Sequence, residues 1–334
     1  MVSAVIFVAT SCVSPLTGFA FWETNLAYEG ESIYNYLQVK NLSDRTILST
    51  NVLFGVQSVT MKDKGLTGMY YDTALAAPAL ADNANSALIL GMGTGTYARQ
   101  LKQYYPKMNI TGVEIDQKIT DLAGEYFDEP VDIPVTTYDG RAWLAASHDK
   151  YDVIMVDAYQ DITIPFQMSS TEFFTMVREH LNPGGVMVVN MNMISDGQGS
   201  INEALSDTIA SVFGNGNTLT ADVPNTTNRE LFAKKPGSGS EENSMQQASK
   251  ALNLRETTYE RTGSEDLEWY MEEVASRFRK VNEPDSASTI LTDDKAPVEV
   301  LGMHAIDQII ADEAGPYRQI LKDEGFGGLL RAVQ

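Results

Sequence analysis

The sequence predicts an α/β fold: a doubly wound parallel sheet, with a small antiparallel β-rich segment before it and a mainly helical extension after it. Two observations carry this. From Ser86 to about Lys235, apolar strand-like runs alternate with helical patterns, the order that builds a parallel sheet with right-handed crossovers. Four acidic residues also stand where successive runs end. Ser86–Leu90 leads into the turn Gly91-Met92-Gly93-Thr94-Gly95-Thr96, and Asn109–Val113 into Glu114-Ile115-Asp116. Val135–Tyr138 leads into Asp139-Gly140, and Tyr151–Val156 into Asp157-Ala158-Tyr159. Open α/β sheets bind ligands outside the carboxyl ends of their strands, where these residues would collect. That is the layout of a nucleoside-binding transferase site.

Composition bounds the partners. The chain has 334 residues, 43% apolar, long enough for one large domain with additions or for two. With 24 basic and 45 acidic residues the formal net charge is -21, which repels polyanions and argues against nucleic-acid binding. The charge permits a cationic ligand without demonstrating one, since a solvated acidic surface accounts for it by itself. Cys12 is the only cysteine, so no intramolecular disulfide can form. His148, His180 and His304 are scattered without metal-ligand spacing, and no metal is expected.

Taken in order, residues 1–22 form a hydrophobic N-terminal segment. Val2–Trp22 carries no charge and nearly reaches the ~20 residues that span a bilayer. A membrane segment, a secretion signal lacking its basic n-region and a segment packed on the protein all remain open. Residues 23–80 read as a small β-rich domain with strands at Ile33–Val39, Thr46–Phe54 and Gly55–Thr60; Gly68–Ala77 then turns helical. Residues 81–235 form the sheet domain, whose last strands are Thr218–Val223 and Glu230–Ala233. Pro236–Asn243 is a linker. Residues 244–334 are mainly helical, with helices at Ser244–Leu252 and Leu267–Val281 and the isolated Leu291–Pro297 motif.

The glycine turn lets the backbone approach a ligand closely and opens a helix. Its dinucleotide version needs Gly or Ala where this chain has Thr96, so an NAD-dependent dehydrogenase is the weakest reading. Glu114 stands where a carboxylate can accept both ribose hydroxyls, and Asp139 where an adenine amino edge can be read. Asp157 ends a strand whose interior should be fully buried; it can take a proton from an attacking amine, or simply cap the next helix.

Together these segments resemble the spermidine synthase (polyamine aminopropyltransferase) family, and more narrowly its membrane-fused branch. The residues carrying the resemblance are Leu90–Thr96, Gly112–Asp116, Tyr138–Arg141, Tyr151–Tyr159, Ile164–Phe166, Thr171–Phe174, Leu181–Gly185 and Leu291–Glu299. The resemblance implies a Rossmann-like, class I methyltransferase-like sheet that binds an S-adenosyl nucleoside, in a homodimer. It implies aminopropyl transfer from decarboxylated S-adenosylmethionine to a polyamine such as putrescine, releasing methylthioadenosine. It places the protein at the cytoplasmic face, with the N-terminal segment as a candidate membrane anchor.

Carried over residue by residue, Asp157 is the base and Tyr159 lies near the reacting centre. Gly91, Gly93, Thr94, Gly95, Glu114, Asp116, Asp139 and Gly140 surround the nucleoside. Gln57, Tyr70 and Tyr71 line the substrate channel. Two positions depart from the family: Thr94 stands where it usually has an aspartate, and Gln160, followed by Asp161, where it has a second one. Asp72, Asp161 and Asp293/Asp294 are the candidates to compensate. A methyltransferase using intact S-adenosylmethionine and a non-catalytic polyamine or nucleoside sensor stay open as alternatives. Thr94 favours the former, because an intact donor's carboxylate would meet no acid there.

Overall fold

The computed structural model describes residues 23–51, 56–127, 132–158, 164–192, 197, 199–238, 245, 249–286, 288–304 and 322. The segment Val2–Trp22 lies outside these, as do Tyr159, Gln160 and Asp161. No described helix is long and apolar enough to cross a membrane.

Strands β1 (Leu26–Glu31), β2 (Tyr36–Asn41), β3 (Arg45–Thr50) and β4 (Ser58–Met61) form an antiparallel meander. β1 was not foreseen: Glu29 and Glu31 mask it in the sequence, yet charges suit an edge strand. Two short helices follow, α1 (Tyr70–Ala74) and α2 (Ala76–Leu80). Both are wholly buried in the core of the large sheet, so the helical end of the expected 23–80 domain packs with the sheet that follows it.

The large sheet is built from β5 (Ser86–Leu90), β6 (Asn109–Glu114), β7 (Val135–Thr137), β8 (Tyr151–Val156), β9 (Leu181–Met191), β10 (Thr218–Asp222), β11 (Arg229–Lys234) and β12 (Arg279–Lys280). Their order is β12-β10-β11-β9-β8-β5-β6-β7. β7, β6, β5, β8 and β9 run parallel, and the order reverses at β5, the switch point beside which ligands bind. The other helices of the sheet domain are α3 (Thr96–Tyr104), α4 (Gln117–Tyr126), α5 (Gly140–Ala146), α6 (Thr171–His180) and α7 (Ile201–Phe213).

The expectation of a parallel sheet throughout needs one correction. β10 and β11 form an antiparallel hairpin, and β11 runs antiparallel to β9. Only Val223–Asn228 separates the pair, too few residues for a crossover. Asn225 turns the chain at φ 58° and Val223 N donates to the Asn228 carbonyl at 3.0 Å.

Side-chain alternation sorts the core into two faces. Ile89, Met155, Val188, Leu219 and Phe232 point to the face covered by α1, α2, α3 and two C-terminal helices, α8 (Ala251–Thr262) and α9 (Glu265–Ser276). Leu90, Ile154, Val189 and Leu231 point to the face covered by α6 and α7. The expected helix at 267–281 ends at Ser276 and gives way to β12. Leu37, Val39 and Leu48 of the small sheet pack on Ile119, Leu122 and Phe127 in and after α4, which sets the small sheet over the carboxyl ends of β5 and β6.

Candidate functional site

A cavity of about 260 Å³ lies under that overhang. Its walls include Gln57 and Ser58 at the start of β4, Tyr71 of α1, Gly91–Gly93, Glu114, Tyr138–Gly140 and Asp157, with Gln167 and Met168 along one side. Three carboxylates, Glu114, Asp139 and Asp157, line it, and no lysine, arginine or histidine is among its described lining residues. A larger, more open depression lined by Arg229, Arg279 and Glu203 sits elsewhere, away from the strand ends that gather these acids.

The glycine turn makes room. Gly91 has φ +89°, and a Cβ there would stand 2.3 Å from the Asp157 carbonyl oxygen; no other residue fits. Gly93, at φ +56°, brings its N–H to Glu114 Oε2 at 2.8 Å, while the Asp116 N–H reaches Glu114 Oε1 at 3.0 Å. Burial pushes the Glu114 carboxyl up, and these two N–H groups offset part of that. Asp139 caps α5, its Oδ1 accepting the Ala142 N–H at 2.7 Å, and its flank still faces the cavity.

Asp157 is held from two sides. Tyr70 Oη lies 2.6 Å from its Oδ2 and Asn190 Nδ2 donates to its Oδ1 at 2.9 Å. Asn190 is fixed in turn by Asn228 Nδ2, which donates to its Oδ1 at 2.9 Å. Burial raises the Asp157 carboxyl to about 7, against the lowering pull of Tyr70 and Asn190 and with a further push from Glu114. A carboxyl poised there can take a proton near neutral pH.

Several expected site residues are spent elsewhere. Asp72 is buried and accepts the Thr67 N–H at 2.9 Å, the Gly68 N–H at 2.6 Å and the Gln100 amide; it ties a loop to α3 and does not line the cavity. Asp116 caps α4 through the Lys118 N–H at 3.0 Å and holds Ser32 and Asn35 of the small sheet. Thr94 is fully buried behind the turn, and its hydroxyl has no hydrogen-bond partner among the described residues. Gly95 serves as the left-handed cap of α3. Asp293 is taken by Arg141 in a two-pronged ion pair at 2.7 and 2.6 Å, and Asp294 is exposed and does not line the cavity. Tyr159 and Asp161 lie outside the described residues.

Sequence reasoning missed Asn190 and Glu230. Asn190 ends an apolar run as Asp157 does, so the strand-end rule would have found it had amides been included. Glu230 reads in the sequence only as the start of a strand; it lies fully buried beside Asn190 in the β11–β9 register, with neither carboxyl oxygen partnered among the described residues.

The spermine/spermidine synthase domain matches residues 69–235, half the chain. This chain belongs to the spermine/spermidine synthase family. It is similar to the probable polyamine aminopropyl transferase of Bifidobacterium longum (strain NCC 2705), 99% identical over 334 residues, which are all of this chain and 75% of that relative. The family fold recurs in a probable spermidine synthase from Corynebacterium glutamicum ATCC 13032, with TM-score 0.56 and 22% identity, covering 80% of this chain and 99% of that one. It recurs again in a spermidine synthase from Thermotoga maritima, with TM-score 0.56 and 19% identity, covering 78% and 85%. In this chain that fold is a Rossmann-like sheet with a small antiparallel sheet over it.

Proposed function

We propose that the protein is a polyamine aminopropyltransferase that uses decarboxylated S-adenosylmethionine as donor and a diamine as acceptor. The observation that carries this is the charge of the cavity: three carboxylates and, among its described lining residues, no cationic side chain. Charge-assisted hydrogen bonds from such walls suit a donor that is cationic at both sulfonium and amine, and a diammonium acceptor. An intact methionine carboxylate would face Asp157 and Glu114 with nothing to neutralise it, which disfavours methyl transfer from the full donor. Thr94, uncharged and buried, is the feature that still speaks for that second reading.

In this assignment Glu114 receives the ribose hydroxyls, and Asp139 with Gly140 borders the adenine. Gly91 and Gly93 give the nucleoside its close approach. Asp157 takes one proton from the acceptor ammonium. The freed nitrogen lone pair attacks the propyl carbon next to sulfur as the carbon–sulfur pair leaves with methylthioadenosine. Alignment in the cavity supplies most of the acceleration. Tyr159 and Asp161 keep their roles by resemblance alone, and a homodimer is the assembly that goes with the reading.

The test is product analysis of the purified chain with putrescine and each donor in turn. Methylthioadenosine from the decarboxylated donor, lost in Asp157→Asn, is the expected result. Turnover of intact S-adenosylmethionine alone, or binding with no product from either donor, overturns the proposal.

A further inference from the structure

Asp157 begins a short chain of oxygens whose contacts outnumber the protons that its phenols supply. Tyr70 Oη is 2.6 Å from Asp157 Oδ2 and 2.6 Å from Tyr71 Oη, and Tyr71 Oη is 2.8 Å from the Gln57 carbonyl oxygen. Each of these three contacts has hydrogen-bond length and so needs a proton between its oxygens. The two phenols supply two. A backbone carbonyl supplies none. The third proton has only one seat, the Asp157 carboxyl.

Neighbouring hydroxyls do not change the count. Ser58 and Thr96 also reach Tyr71. Thr96 spends its proton on the Val59 carbonyl at 2.7 Å, and a bond from Ser58 to Tyr71 would lie beside the chain and fill none of its three gaps.

We propose that Asp157, Tyr70, Tyr71 and the Gln57 carbonyl form one proton relay whose direction reports the protonation of Asp157. With Asp157 protonated, its O–H donates to Tyr70, Tyr70 to Tyr71 and Tyr71 to Gln57. With Asp157 ionised, Tyr70 donates to the carboxylate, Tyr71 donates to Tyr70, and the Gln57 carbonyl is released. That carbonyl belongs to a cavity-lining residue and can then accept an ammonium N–H. The form of the enzyme that can act as a base is therefore the form with an acceptor ready for a cationic substrate. When the substrate ammonium gives its proton to Asp157, the relay turns outward again and Tyr71 reclaims Gln57, loosening the product amine. This use in turnover rests on the aminopropyl-transfer reading; the proton count does not.

The surroundings favour a retained proton. Asp157 faces Tyr70 and Tyr71 from α1, Asn190 from β9 and Glu114 from β6, and it acts electrostatically on Glu230 of β11. Both charged neighbours are carboxyls, Glu230 itself being held well above its ordinary range by burial. Burial also holds Asp157 near 7 and raises both phenols, so the mobile proton belongs to the carboxyl.

The two phenols should shift the titration in opposite directions. Tyr71→Phe removes the partner that orders the outward chain, so the acid form loses support and the Asp157 midpoint falls. Tyr70→Phe removes the donor to the carboxylate, so the midpoint rises. Each shift should be roughly half to one pH unit, the worth of one neutral hydrogen bond.

The experiment is infrared titration of the protonated carboxyl band of the ligand-free chain in an E230Q background, with D157N as blank, alongside the pH profile of kcat/KM. An Asp157 acid band surviving to near neutrality, lowered by Y71F and raised by Y70F, is the expected result. An Asp157 already ionised in mild acid, or Y71F titrating with the parent, overturns the relay. Opposed infrared shifts in a protein that releases no methylthioadenosine would keep the relay and remove the transfer reading.

Discussion

Ser32 Oγ donates to Asp116 Oδ2 at 2.6 Å, and this bond clasps the small sheet to the end of β6. Asn35 Nδ2 adds a second bond to the same oxygen at 3.0 Å, while Oδ1 caps α4. Asp116 is thus a fastening for the overhang that roofs the cavity, and its carboxylate is used up in that role.

Asp116→Ala should accordingly destabilise the fold by about 1–3 kcal/mol, the sum of a lost cap and lost side-chain bonds. In urea unfolding, the Ser32→Ala and Asp116→Ala losses should be non-additive, with a coupling of ~0.5 kcal/mol or more. Loss of methylthioadenosine binding by a fully folded D116A would instead make Asp116 a ligand contact.

Glu114 offers the contrasting case. Both its oxygens accept backbone N–H groups, from Gly93 and Asp116. A glutamine there must turn its NH2 against one of those donors. Glu114→Gln should weaken methylthioadenosine binding by about 10- to 100-fold, the cost of a charge-assisted hydrogen bond. Calorimetric titration checks this, and an unchanged affinity would remove Glu114 from the nucleoside site.

How legible the site was depended on what each residue's neighbours were. Gly91, Glu114, Asp139 and Asp157 could be placed from strand ends alone, because a parallel sheet delivers every strand terminus to one edge. Asp72 and Asp116 look equally free in sequence. Their partners lie far along the chain, Gln100 and Ser32 being 28 and 84 residues away, and only the folded chain shows the carboxylates to be occupied. The β10–β11 hairpin reads by strand pattern as part of a parallel run, although its short connection already forbids a crossover. The Asp157–Tyr70 contact needs α1 to fold back onto β8, a packing that no local pattern specifies.

The raised Asp157 carboxyl makes a prediction about stability. Its folded value of about 7 lies above the ordinary 3.8, so between roughly pH 4 and 7 the folded protein holds a proton that the unfolded chain has lost. Stability therefore falls as pH rises through that window. Asp157→Asn removes this contribution. The variant should match the parent below about pH 4 and exceed it above about pH 7, by at most on the order of 4 kcal/mol. Denaturant midpoints at the two ends of the window test it. An advantage of the same size at both would mean that Asp157 titrates normally in the fold.

Glu230 gives the companion case, without a proton partner to explain it. It lies between Ala221 and Asn190 across the strands, on the face that carries Phe232, and both its oxygens are buried and unpartnered among the described residues. Burial drives its carboxyl well above the usual range, with Asp157 adding to the push. A buried acid without hydrogen bonds costs the fold its desolvation, and an apolar side chain of similar length does not. Glu230→Leu should stabilise the protein by about 1–3 kcal/mol near neutral pH. Glu230→Gln should gain less, because its amide would be just as unpaired. Thermal melts of both variants decide the matter: a leucine that lowers the melting temperature would show that the carboxyl has a stabilising partner in the folded chain.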